Sequence, residues 1–94
     1  MESMKILIIE DERRLSDSMK DYLKGQDYLC EQAFDFKTAK MMAGTYKYDC
    51  ILLDLMLPGG DGLEILDTIR NKHNRTGVII ISAKDSLDDR LMGL

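Results

Sequence analysis

The chain has 94 residues, 45% of them apolar and 32% charged, which excludes a disordered tail and leaves room for one domain with a modest core. Its net charge is −4, with both signs spread along the chain; that argues against a nucleic-acid surface, and no apolar run nears membrane-spanning length. The two cysteines, Cys30 and Cys50, sit in apolar runs without zinc-ligand spacing and read as reduced core residues of a cytoplasmic protein with no signal peptide.

The first element is the run Lys5–Ile9, apolar almost without a break, as suits a strand covered on both faces in a parallel sheet. It runs straight into Glu10, Asp11 and Glu12. Leu15, Met19, Tyr22 and Leu23 then recur at helix spacing, and Gly25 ends that segment. Tyr28–Phe34 alternates more and predicts a strand nearer an edge. Ala39, Met42, Ala43 and Tyr46 form a second helical stripe, with Asp35 as its N-cap. Cys50–Leu55 is a second buried strand, ending at Asp54 and the turn "MLPGGDG", where Asp61 reads as a turn or cap residue. Leu63, Leu66 and Ile69 mark a third helix from Gly62 to about His73. Val78–Ser82 is a further strand, and Ser86 with Asp89 makes a capping box for a last helix that reaches only Leu94.

Strand and helix thus alternate throughout, which predicts an α/β fold with a doubly wound parallel sheet and right-handed crossovers. In such sheets, sites form outside the carboxyl ends of strands at the switch in strand order. Glu10 and Asp11 end one strand and Asp54 ends another. If those strands are neighbours, three carboxylates face one crevice, where hard, octahedral Mg²⁺ would relieve their repulsion and screen an incoming phosphoryl group. A carboxylate there can act as nucleophile toward phosphorus, and the hydroxyl of Ser82 can donate to a phosphoryl oxygen. For "EDE" alone, a helix start is the plainer reading, because acids suit the helix dipole; Asp54 and Ser82 at matching strand ends favour the metal, and Glu12 belongs in the first helical turn. His73, the one histidine, reads as a surface residue, and Tyr46, Tyr48 and the seven methionines as packing.

From "KILIIEDE" through "LLDLMLPGGDG" to "SAKDSLDDRLMGL" the sequence resembles a response-regulator receiver domain, of the subfamily whose output is a winged-helix DNA-binding domain. The resemblance implies a flavodoxin-like receiver fold over residues 1–94, strand order 2-1-3-4, with the fifth strand, its lysine and the fifth helix missing. It implies that Asp54 is the phosphoacceptor and that Ser82 is the switch hydroxyl. Mg²⁺ would be held by Asp11, Asp54, the main-chain carbonyl of Met56 and, through water, Glu10. The donor would be a sensor histidine kinase, and DNA would be contacted by the full-length parent rather than by these residues. Such a domain is no enzyme beyond assisting its own phosphorylation and dephosphorylation. Lys84 does not replace the missing lysine, since it follows Ser82 by two residues. The truncation predicts an open fourth-strand edge and self-association through it. Two other functions remain. A phosphatase-like Mg²⁺ enzyme is disfavoured because Met56 stands where a second aspartate would serve as acid-base group. A non-signalling interaction fragment is the other.

Overall fold

Lys5–Ile9 forms the strand β1 because its aliphatic side chains are taken up on both faces; Leu7, Ile8 and Ile9 have no exposed surface. The computed structural model describes residues 3–81, which take the order β1, α1 (Arg13–Gly25), β2 (Leu29–Ala33), α2 (Phe36–Thr45), β3 (Cys50–Leu53), α3 (Gly62–Lys72) and β4 (Gly77–Ile80). Ser82, Ala83, Lys84 and the helix expected from Ser86 lie outside the described residues. Among the described residues, no helix is long and apolar enough to cross a membrane.

The strands form one parallel sheet in the order β2-β1-β3-β4. Every expected strand is present: β1 keeps the bounds of its apolar run, β2 and β3 are shorter than theirs, and β4 begins one residue earlier, at Gly77. β3 stops at Leu53, so Asp54 stands just beyond it. Alternation divides the side chains between two faces. Leu7, Ile9, Ile51 and Leu53 pack with Ala39 and Ala43 of α2 and Ile65 and Ile69 of α3. The other face takes α1, whose Met19, Tyr22 and Leu23 line a shallow concavity with Leu52, and whose Ser16 Oγ accepts from Gln32 Nε2 at 2.9 Å.

Of the three helix caps expected from sequence, the two that fall on described residues form. Asp35 Oδ1 accepts from Thr38 N–H at 2.8 Å and starts α2; Asp61 Oδ1 accepts from Leu63 N–H at 2.9 Å and starts α3. Glu12 takes the N-cap position of α1 in extended conformation, one step before the first helical turn expected for it. The α1 stripe differs from expectation, since Leu15 and Tyr22 are exposed and Ser16 is the buried residue. Tyr46 and three methionines, Met4, Met41 and Met56, are exposed rather than packed, because they occupy a chain start, a helix's outer side and loops.

Cys30 and Cys50 are free and half-buried, not fully in the core. Both align with Ile6, one from each side. Two strand spacings, roughly 9–10 Å, separate them, which is beyond disulfide reach. Burial raises both thiols above their ordinary pKa, with Lys20 opposing at Cys30 and Asp49 adding at Cys50.

Candidate functional site

The crevice is made by register. Ile9 of β1 lies opposite Leu53 of β3, so the next residues, Glu10 and Asp54, emerge side by side. The hydrogen bonds continue one rung past both strands: Asp54 N–H donates to Ile9 O at 3.0 Å, and Glu10 N–H donates to Ala33 O of β2 at 3.1 Å. Both side chains are only 2% exposed. Asp11 follows at the solvent side, and one carboxylate oxygen from each of Glu10, Asp11 and Asp54 lies within 4.8 Å of the others. The three acids expected to converge do so.

Each buried carboxylate is aimed by the backbone two residues ahead. Met56 N–H donates to Asp54 Oδ1 at 2.9 Å, and Glu12 N–H donates to Glu10 Oε2 at 2.9 Å. These turns help fix the direction of both side chains. Met56 is thereby folded back onto Asp54, while its own side chain is exposed. The loop beyond is anchored by buried Leu57, bends at Gly59 with φ of +97°, and enters α3 at Gly62, whose Cα sits against the Leu55 backbone.

Two ring contacts near the strand ends had no signal in the sequence. At the start of α1, the Arg13 guanidinium lies over the Phe34 ring, 3.9 Å from its centroid. The Phe36 ring packs against Gly60 of the loop after Asp54. Neither pair has a spacing or composition that marks it. His73, expected at the surface, is half-buried at the end of α3 with Nε2 3.3 Å from Gly44 O.

The donor set suits a hard cation. It offers carboxylate oxygens alone, with no thiolate or imidazole, and it concentrates negative charge where two of the three groups have little access to water. Mg²⁺ takes oxygen ligands of this kind while keeping several waters, which the exposed side at Asp11 admits. Glu10, Asp11 and Asp54 are therefore the residues that could hold it.

A parallel sheet ordered 2-1-3-4, with acids gathered past the carboxyl ends of its two central strands, defines a doubly wound α/β protein with its site at the switch point. Residues 6–94 match the response regulator receiver domain family, and the chain belongs to that family. It is 41% identical over 91 residues to the transcriptional regulatory protein HprR of Escherichia coli, covering 97% of this chain and 40% of HprR. The chain thus spans about two fifths of the length of the curated relatives it matches. Among solved structures, the receiver domain of the Francisella response regulator 1452 superposes with a TM-score of 0.76 at 34% identity, covering 97% of this chain and 75% of that one. The Thermotoga maritima response regulator TrrA, in complex with Mg(2+)-BeF, superposes with a TM-score of 0.80 at 27% identity, covering 94% of this chain and 76% of that one.

Proposed function

We propose that Asp54 accepts a phosphoryl group from a sensor histidine kinase. Asp11, Asp54 and the main-chain carbonyl of Met56 would hold Mg²⁺ directly, and Glu10 would hold it through water. The observation that carries this is the convergence of three carboxylate oxygens within 4.8 Å, with Asp54 almost fully buried among them. The Thermotoga relative, solved in complex with Mg(2+)-BeF, is consistent with such a site.

Met56 N–H occupies Asp54 Oδ1 and orients the carboxylate, so Oδ2 is the oxygen assigned to attack. Oδ2 bonds to phosphorus as the P–N bond of a phosphohistidine breaks, and the electron pair returns to the imidazole nitrogen. The product is an acyl phosphate on Asp54. Held by these residues, Mg²⁺ would supply charge neutralisation for the carboxylates and the phosphoryl oxygens. Glu10, held by Glu12 N–H, keeps its place behind Asp11. Ser82, outside the described residues, is assigned as a donor to a phosphoryl oxygen. The protein's chemistry is then confined to gaining and losing its own phosphoryl group.

We extend the proposal to a longer parent with a DNA-binding output, since HprR is a transcriptional regulatory protein and these residues cover only 40% of it. These residues themselves, at net charge −4, are assigned no nucleic-acid contact. A cytoplasmic setting, where thiols stay reduced, suits free Cys30 and Cys50. Among the described residues β4 is an edge strand with Ile79 and Ile80 exposed, and we assign self-association to that edge. A monomer by light scattering at micromolar concentration would remove that assignment.

The deciding experiment is intact mass after incubation with acetyl phosphate and Mg²⁺. Wild type should gain one phosphoryl group and Asp54→Asn none. Labelling that survives the substitution moves the acceptor elsewhere. No gain in folded wild type removes the acceptor role from these 94 residues on their own.

A further inference from the structure

α2 and α3 pack side by side, and at Gly44 a Cβ would come within 3.2 Å of Thr68 Cγ2. Above that contact runs a groove of about 540 Å³. Phe36 and the exposed Met41 give it an apolar floor; Lys37, Lys40 and Lys72 stand around it, and no acid lines it. Lys40 Nζ lies 5.7 Å from the centroid of the Phe36 ring, so cation and apolar surface form one continuous face.

The groove does not end at Lys72. That residue also lines a second concavity of about 400 Å³, past the end of α3, which adds Lys47 and Arg75. One acid, Asp49, borders it, and Asp49 Oδ2 already accepts from Lys5 N–H at 2.7 Å. The backbone beneath it is tied by hydrogen bonds: Arg70 donates to the main-chain oxygens of Asn74 and Thr76, and buried Thr76 donates to Tyr48 O at 3.0 Å. Five cationic side chains therefore follow one track on a chain whose net charge is −4. Arg13, Glu10, Asp11 and Asp54 line neither concavity, so the track is separate from the crevice.

We propose that the α2–α3 groove docks an acidic amphipathic helix of a partner protein. Its apolar stripe would lie on Phe36 and Met41, and its carboxylates would meet Lys37, Lys40 and Lys72, with further acids reaching Lys47 and Arg75. An apolar floor walled by cations fits a helix with both an apolar and an acidic face. A nucleic acid or a small phosphate would use the cations and leave the floor exposed. Charge complementarity of this kind sets partner choice and association rate.

The test uses the 94-residue chain, a labelled helical peptide with leucines on one face and glutamates on the other, and a scrambled peptide of the same composition. Amide shifts should change along α2 and from Thr68 to Arg75. Lys37→Glu combined with Lys72→Glu should weaken binding by at least about tenfold, and raised salt should weaken it too. Lys20→Glu with Lys24→Glu on α1 should leave it unchanged. Circular dichroism confirms that each variant is folded, and Met41→Ser, which keeps the charge, should weaken binding without altering its salt dependence. Equal binding of the scrambled peptide, shifts centred on α1, indifference to the lysine reversals, or no binding overturns the proposal. Pyrophosphate or a DNA duplex binding the track while the amphipathic peptide does not also overturns it.

Discussion

The Phe36 ring fills the space that a side chain at Gly60 would need: a Cβ there would stand 2.5 Å from Phe36 Cγ and 2.6 Å from Cδ2. The first residue of α2 thus leans on the loop that leaves Asp54, and the absence of a side chain at position 60 makes that possible. Gly62 has a different constraint, since its Cβ would meet the Leu55 backbone, with Cα at 2.6 Å. A ring can swing aside, at a cost of overpacking of about 1–3 kcal/mol; backbone cannot without moving the loop. Gly62→Ala should therefore lower the urea midpoint more than Gly60→Ala, and both should fall below wild type. The reverse order would mean that the loop yields more easily than the Phe36 contact.

Asp54→Asn should act in opposite directions with and without Mg²⁺. Removing one charge from a crevice where three carboxylate oxygens converge within 4.8 Å relieves repulsion, so the metal-free variant should melt above metal-free wild type. Adding Mg²⁺ should raise the melting temperature of wild type and leave that of the variant nearly fixed. At ten times the dissociation constant the stabilisation is about 1.4 kcal/mol. Asp11→Asn should lose the Mg²⁺ response too. Equal responses in all three proteins would place the ion elsewhere.

Tyr48 is buried and its hydroxyl donates to Glu31 Oε1 at 2.6 Å, while Lys5 Nζ lies 3.4 Å from Glu31 Oε2. Burial, then the hydrogen bond and charge of Glu31, push the phenol's pKa well above its ordinary value of 10.0. A raised pKa means the folded state holds this proton more tightly than the unfolded state. Its stabilisation is complete below about pH 10 and fades as pH climbs toward the folded value. Tyr48→Phe should cost about 1–2 kcal/mol at neutral pH, because a hydrogen bond to a charged acceptor is lost. The gap between the two proteins, read from urea midpoints, should narrow above pH 10. A constant gap would mean that the hydroxyl contributes nothing through its proton.

Much of the architecture was legible because some residue patterns admit few alternatives. An unbroken aliphatic run such as Ile6–Ile9 needs cover on two faces, and an acid directly after it marks a strand's carboxyl end. Asp35 and Asp61 could be placed as cap or turn residues because a short carboxylate just ahead of helical periodicity has an N–H within reach. The convergence of the acids rested on which strands are neighbours, and periodicity does not carry register; the pairing of Ile9 with Leu53 supplies it. The α1 stripe misled because helical spacing records which residues share a side, not what covers it. Ser16 is buried there through its bond with Gln32, while Tyr22 is 69% exposed. Arg13 on Phe34 and Phe36 on Gly60 join segments distant in the chain, and no local pattern encodes either contact.

The rungs at Glu10 and Asp54 lie at the ends of two strands whose opposite ends are tied by Lys5 and Asp49, 44 residues apart. A cation shared by Asp11 and Asp54 would close a loop of comparable length at the free end. That is the topological task of a disulfide, restriction of the unfolded chain by a cross-link. Here the clasp would be ionic, reversible and graded by the concentration of the ion, so the contact proposed to prepare Asp54 for chemistry would also set how firmly the sheet is fastened.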